Sequence, residues 1–184
     1  MFVKRIVGIV IAVMLVMSIS ACAKKNEHWG QKFDEKGKWW KQEGQSWDRK
    51  DNIFMAVGRS NPDWKDDYDK RHSADLDARA QVAAFMQSLV DNYMKEVRSR
   101  NYSISESVIE SSANESVLGS VIVNRKKKGK IYYSLIKVDL NYFFQKIYDN
   151  FKEPNQDVLS NLKKLEAPAI EKSIVTGGTN ETAE

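Results

Sequence analysis

LGSVIVNRKKKGKIYYSLIKVDL, residues 118–140, is the stretch that decides the fold. Its apolar residues fall in two short runs, SVIVN and KIYYSLIKVD, separated by a cluster of cations and one glycine. Two β-branched and aromatic runs broken by a polar, glycine-containing stretch predict a β-hairpin, here with its turn centred on Arg125-Lys126-Lys127-Lys128-Gly129. In the first strand Val121 and Val123 share a face. In the second, Tyr132, Ser134, Ile136 and Val138 share one face and Ile131, Tyr133 and Leu135 the other. Apolar side chains on both faces of one strand predict a sheet that is partly covered on both sides.

Working outward, Ile53-Phe54-Met55-Ala56-Val57-Gly58 is a continuous apolar run closed by glycine, the pattern of a strand buried on both faces. Asn61-Pro62 follows as turn or helix-start chemistry, and a short helix over 63–70 either stands alone or runs into the next one. From Ser73, Leu76, Ala80, Ala83, Met86, Val90, Tyr93 and Val97 recur at spacings of three and four, with Val82, Phe85 and Leu89 widening the stripe. This predicts an amphipathic helix capped by Ser73, with Asp75 and Asp77 at its positive end, finishing near Arg100. The serine-rich residues 102–118 fit either period and are assigned a second helix. After the hairpin, NYFFQKIYDNF (141–151) predicts a helix with Phe143, Phe144, Ile147, Tyr148 and Phe151 inward. A further helix runs through Val158, Leu159, Leu162 and Leu165, and beyond Pro168 a polar tail, TGGTNETAE, closes the chain.

The amino terminus reads differently. Lys4 and Arg5 precede the apolar run IVGIVIAVMLVM (6–17), and small residues lead into Cys22, the only cysteine. That is the order of an export signal, and the run is shorter than the roughly 20 apolar residues a membrane-crossing helix needs. Ile19-Ser20-Ala21-Cys22 resembles a bacterial lipobox, in which cleavage precedes a cysteine that carries acyl chains. Two or three such chains hold firmly where one holds marginally. Ala23 lacks the aspartate associated with inner-membrane retention, so the expected location is the cell envelope, on an outer membrane, facing periplasm or surface.

Removing residues 1–21 takes away Lys4 and Arg5 and no acid, which leaves 163 of 184 residues and lowers the formal charge from +4 to +2. Much of the basicity is thus the export signal, and an exported chain of this charge is not expected to bind nucleic acid. Residues 22–51 are read as a lipidated spacer rich in lysine and tryptophan, 52–153 as the folded domain, and 154–184 as a C-terminal helix with a disordered tail. Trp39 and Trp40 in the spacer either fold back onto the domain or contact lipid headgroups or glycan rings. With them, Lys126, Lys127 and Lys128 are the candidate glycan or membrane contacts.

The segments FMAVGRS, ADLDARAQVAAF and the hairpin, in this order after a lipobox, resemble the bacterial Lpp-twenty lipoprotein family, which is related to the amino-terminal domain of the flagellar H-ring assembly protein. The matching positions are Ala56-Val57-Gly58, Ala78-Arg79, and Tyr133, Leu135, Val138 and Asp139. Lys137 stands where members often carry arginine or an aliphatic residue. The resemblance implies an α+β fold, a small mixed or antiparallel sheet with helices packed on one face. It also implies structural roles for Val57, Gly58, Arg79, Tyr133 and Asp139, and a link to flagella or an outer-membrane complex. Arg79 is expected to reach Asp139, and Gly58 to take a backbone conformation that side chains disfavour.

Catalytic chemistry is not apparent. His28 and His72 have no metal-ligand spacing, Asp66, Asp67 and Asp69 lack the calcium-loop pattern, and no phosphate-cradling glycine loop or nucleophile elbow is present. The chain is therefore expected to be no enzyme and to need no cofactor or metal. Its expected partners are a membrane, through acylated Cys22, and another envelope protein.

Overall fold

The computed structural model describes residues 37–41, 44–100, 102, 104–150 and 156–177. Cys22, His28, Phe151 and residues 178–184 lie outside them. Four strands, β1 (Gly44–Asp48), β2 (Ile53–Arg59), β3 (Val121–Lys128) and β4 (Ile131–Asp139), form one antiparallel sheet in the order β1-β2-β4-β3. Four helices, α1 (Asp67–Ser99), α2 (Glu106–Leu118), α3 (Leu140–Asp149) and α4 (Gln156–Gly177), complete an α+β fold.

The helix α1 is 33 residues long, roughly 50 Å at 1.5 Å per residue, and lies across β2 and β4. It starts earlier than the periodicity predicted. Asp66, in extended conformation, accepts from the amides of Tyr68 (2.6 Å) and Asp69 (3.3 Å), so it is the cap and Ser73 is not. Asp75 and Asp77 accordingly sit mid-helix and serve other ends. The inward stripe differs too: Ala74, Ala78, Val82, Phe85, Met86 and Leu89 are buried, whereas Leu76, Ala80 and Ala83 face solvent. Both stripes have helical spacing, and the choice between them was made by Gly58, beneath Ala74 and Ala78.

The helix-side core joins Phe54, Ala56, Ile136 and Val138 of the sheet to α1 and to one face each of α2, α3 and α4. Phe54 stacks on Phe85 with centroids 3.7 Å apart, and Phe144 meets Tyr93 and Phe143 edge to face. The other sheet face carries a smaller cluster of Met55, Val57 and Leu135, closed by Trp39 from a 3-10 turn (Trp39–Lys41). The folded unit is therefore wider than 52–153. The strand β1 and Trp39, expected in the spacer, belong to the sheet and its cover, and α4 packs along α1 through Leu162, Leu165, Ala169, Ile170 and Ile174. It continues through Pro168, because those side chains keep burying apolar area past the proline.

Two joints position the rest. Asn52, at φ 55°, accepts from the Trp47 indole (3.0 Å), donates to Asn141 and offers its carbonyl to Leu140 N, tying the β1–β2 loop to the start of α3. Asp139 caps α3 by accepting from Asn141 N (2.9 Å).

Candidate functional site

In the structure β3 runs to Lys128, so the cation run is strand and the turn is only Gly129-Lys130, with Gly129 at φ 58°. The two-residue period of a strand then sends successive cations to opposite faces. Arg125 and Lys127 point to the helix side. Arg125 makes a bidentate pair with Asp75 (3.0 and 2.8 Å), whose carboxylate also accepts from Ser134 Oγ. Lys127 meets Asp67 (2.5 Å), which also accepts from Tyr132 Oη (2.9 Å). Burial works against ionised Asp75, but Arg125 and Ser134 outweigh it and hold the carboxyl below its usual range. Lys127 and Tyr132 do the same for Asp67. These cations fasten the hairpin to α1.

Lys126 and Lys128 point to the other face. Their Nζ atoms lie 5.3 and 4.9 Å from the ring centroid of Trp40, within cation–π range. No carboxylate among the described residues pairs with either. Trp40 is partly buried, whereas Trp39 is 1% exposed, filling the space over Met55, Val57 and Leu135. Of the five candidate contacts, then, Trp40, Lys126 and Lys128 come together on one surface. Trp39 is core and cannot stack on a glycan or enter headgroups, and Lys127 is committed across the sheet. Lys38 and Lys41 flank the tryptophans and are exposed.

The motif residues have local uses. Gly58 does not take a left-handed conformation. A Cβ there would fall inside van der Waals contact of Ala74 O and Ala78 N and 2.7 Å from Ala78 Cβ, so glycine is required by close approach of α1 to β2. Beside it, Asp77 accepts from Arg59 N (2.7 Å), beyond the end of the β1–β2 pairing, and Gln81 donates to Val57 O (2.9 Å), at its last pair. Arg79 does not reach Asp139. Its guanidinium donates to Ser120 Oγ (3.0 Å), pinning the end of the α2–β3 connection. Val57 and Tyr133 belong to the outer cluster around Trp39.

Sequence reasoning missed Asp67, Asp75, Tyr132 and Ser134 as partners of the cation run. A signal existed: Asp67 and Asp75, eight apart, share a helix face, and Arg125 and Lys127, two apart, share a strand face. Among the described residues no helix is long and apolar enough to cross a membrane, and no cluster of His, Cys, Asp and Glu could hold a metal ion. No protein-family model matches the chain, and no curated protein or solved structure matches it significantly.

Proposed function

We propose that this chain is a lipid-anchored cell-envelope protein with a structural, assembly or interaction role, its α+β unit being the interacting body. The observation that carries this reading is how close in sequence the described fold comes to Cys22. Trp39 plugs the outer sheet cluster only 17 residues after Cys22, so an acylated Cys22 would keep that edge of the unit within about 60 Å of a bilayer. The clustered polar side chains support a binding rather than a reactive body. Asp67, Asp75, Asp77, Gln81, Arg79, Arg125 and Ser134 are each engaged in joining one element to another. The glycan-stacking alternative is weakened by burial of Trp39, because of its two candidate indoles only the partly covered Trp40 remains available.

Metabolic labelling with palmitate tests the anchor. Label is expected on the native chain and lost in Cys22→Ala. An intact initiator methionine with an unmodified thiol, or protein free in the cytosol, would overturn the reading. Co-purification of one defined envelope protein with the Cys22-anchored form tests the interaction role.

A further inference from the structure

We propose that the outer sheet face around Lys126, Lys128 and Trp40 is the surface by which the tethered unit rests on anionic, phosphate-bearing lipid headgroups. This deepens the preceding reading and rests on Cys22 as the anchor.

Three observations converge. First, the alternation of β3 separates its cations by use: Arg125 and Lys127 are consumed by Asp75 and Asp67, whereas Lys126 and Lys128 lie over Trp40 with no carboxylate partner among the described residues. An indole neither neutralises a lysine nor fully replaces its water, so the positive charge stays available to an anion while the stems are held in place. Second, the neighbours have the same sign. Lys38, Lys41 and Lys130 are exposed around them, and Lys137, opposite Met55 and Val121, belongs to the same sheet face. Among the described residues, the carboxylates of the strands on that face, Asp48 and Asp139, are occupied by backbone amides at a loop and a helix start. Third, the described residues begin at the turn carrying Trp40, on this face, and Cys22 stands 17 residues before Trp39.

Those 17 residues reach about 60 Å at most, so an acylated Cys22 holds this side near the bilayer and raises its effective concentration there. Headgroup contacts of modest affinity, weak but measurable for the free protein on vesicles, suffice to orient one already held there. The lipid supplies phosphate anions within a Debye length of about 8 Å, and the tryptophan an amphipathic edge suited to the interfacial zone.

The test uses residues 22–184 with Cys22→Ser, which keeps every described residue and removes the acyl chains. Co-sedimentation is measured with vesicles of phosphatidylcholine alone and with about a third phosphatidylglycerol. Binding about tenfold tighter to the anionic vesicles, abolished by high salt, is expected. Lys126→Gln with Lys128→Gln should lower it by about tenfold or more, while Lys163→Gln with Lys164→Gln, an equal charge change on α4, should leave it within about twofold. Far-UV circular dichroism of both double variants should match the parent. Equal binding to both vesicle types, equal loss in both double variants, or retention on purified peptidoglycan without preference for vesicle charge would overturn the proposal. Because the assay omits the acyl chains, its failure is separable from loss of palmitate label, which tests the anchor alone.

Discussion

At Gly58 one methyl group has nowhere to go, since the carbonyl of Ala74 and the amide of Ala78 are backbone and cannot move aside as a side chain would. Gly58→Ala is expected to cost about 3 kcal/mol in urea unfolding, through separation of α1 from β2. Gly129→Ala is the useful comparison. Its Cβ would meet open space, so only the left-handed φ of 58° is penalised, at about 1 kcal/mol. Equal losses at the two sites would remove the close-approach argument. Asp75 gives a second test. Its depressed pKa means that its stabilisation is present above the unfolded value of 3.8 and lost as pH falls through the lower folded value. Asp75→Asn should therefore be less stable than the parent by about 1 kcal/mol at neutral pH, with the difference closing in strong acid. Neither role was legible beforehand. A glycine closing an apolar run announces a special position, but whether φ or space makes it special depends on what lies above it.

At the scale of elements, the helices α2 and α4 show why some segments resisted reading. Two of the serines of α2 face inward: Ser112 and Ser116 are buried and donate to the carbonyls of Val108 and Ser112, both 2.8 Å away, while Ser107 and Ser111 are exposed. A serine satisfied by its own helix behaves as a small core residue, so the polar pattern hides an inward face. Ser116→Ala should change stability by no more than about 0.5 kcal/mol in either direction, since a better helix former replaces a hydroxyl needed only locally. A loss of several kcal/mol would show that the hydroxyl holds something else. The helix α4 is joined to α3 by Tyr148 Oη donating to Glu166. Burial raises the pKa of that carboxyl, against the opposing effects of Tyr148 and Lys163. The buried Tyr93 Oη lies beside this pair but is not aligned to hydrogen-bond, and burial pushes both phenols up. A raised carboxyl stabilises most below its unfolded value of 4.5, and that contribution is lost as pH rises through the folded value. Glu166→Gln should therefore match or exceed the parent at neutral pH, with the advantage vanishing below about pH 4. A deficit that persists at neutral pH would mean that the ionised carboxylate is the stabilising form.

Across the whole molecule, the long helix α1 is the shared wall: the sheet covers one side of it, and α2 and α4 cover others. Removing residues 154–184 would bare the side that holds Leu162, Leu165, Ala169, Ile170 and Ile174, a loss of roughly 5 kcal/mol or more, comparable with the total stability of a unit this size. Such a truncation should give a loosened chain with broad, non-cooperative thermal unfolding. Sharp unfolding near the parent temperature would instead make α4 an appendage. Local pattern alone determined the two strands of the hairpin, the buried strand closed by Gly58, and the presence of the long helix and of the helix after the hairpin, because periods of two and near 3.6 are set by backbone geometry and survive in any context. Tertiary structure alone decided which of two helical stripes on α1 turns inward, that Trp39 and β1 belong to the fold, and that neighbouring lysines serve opposite faces. Those outcomes depend on what sits across a contact, and chain positions 65 apart, as Asp67 and Tyr132 are, carry no local record of it.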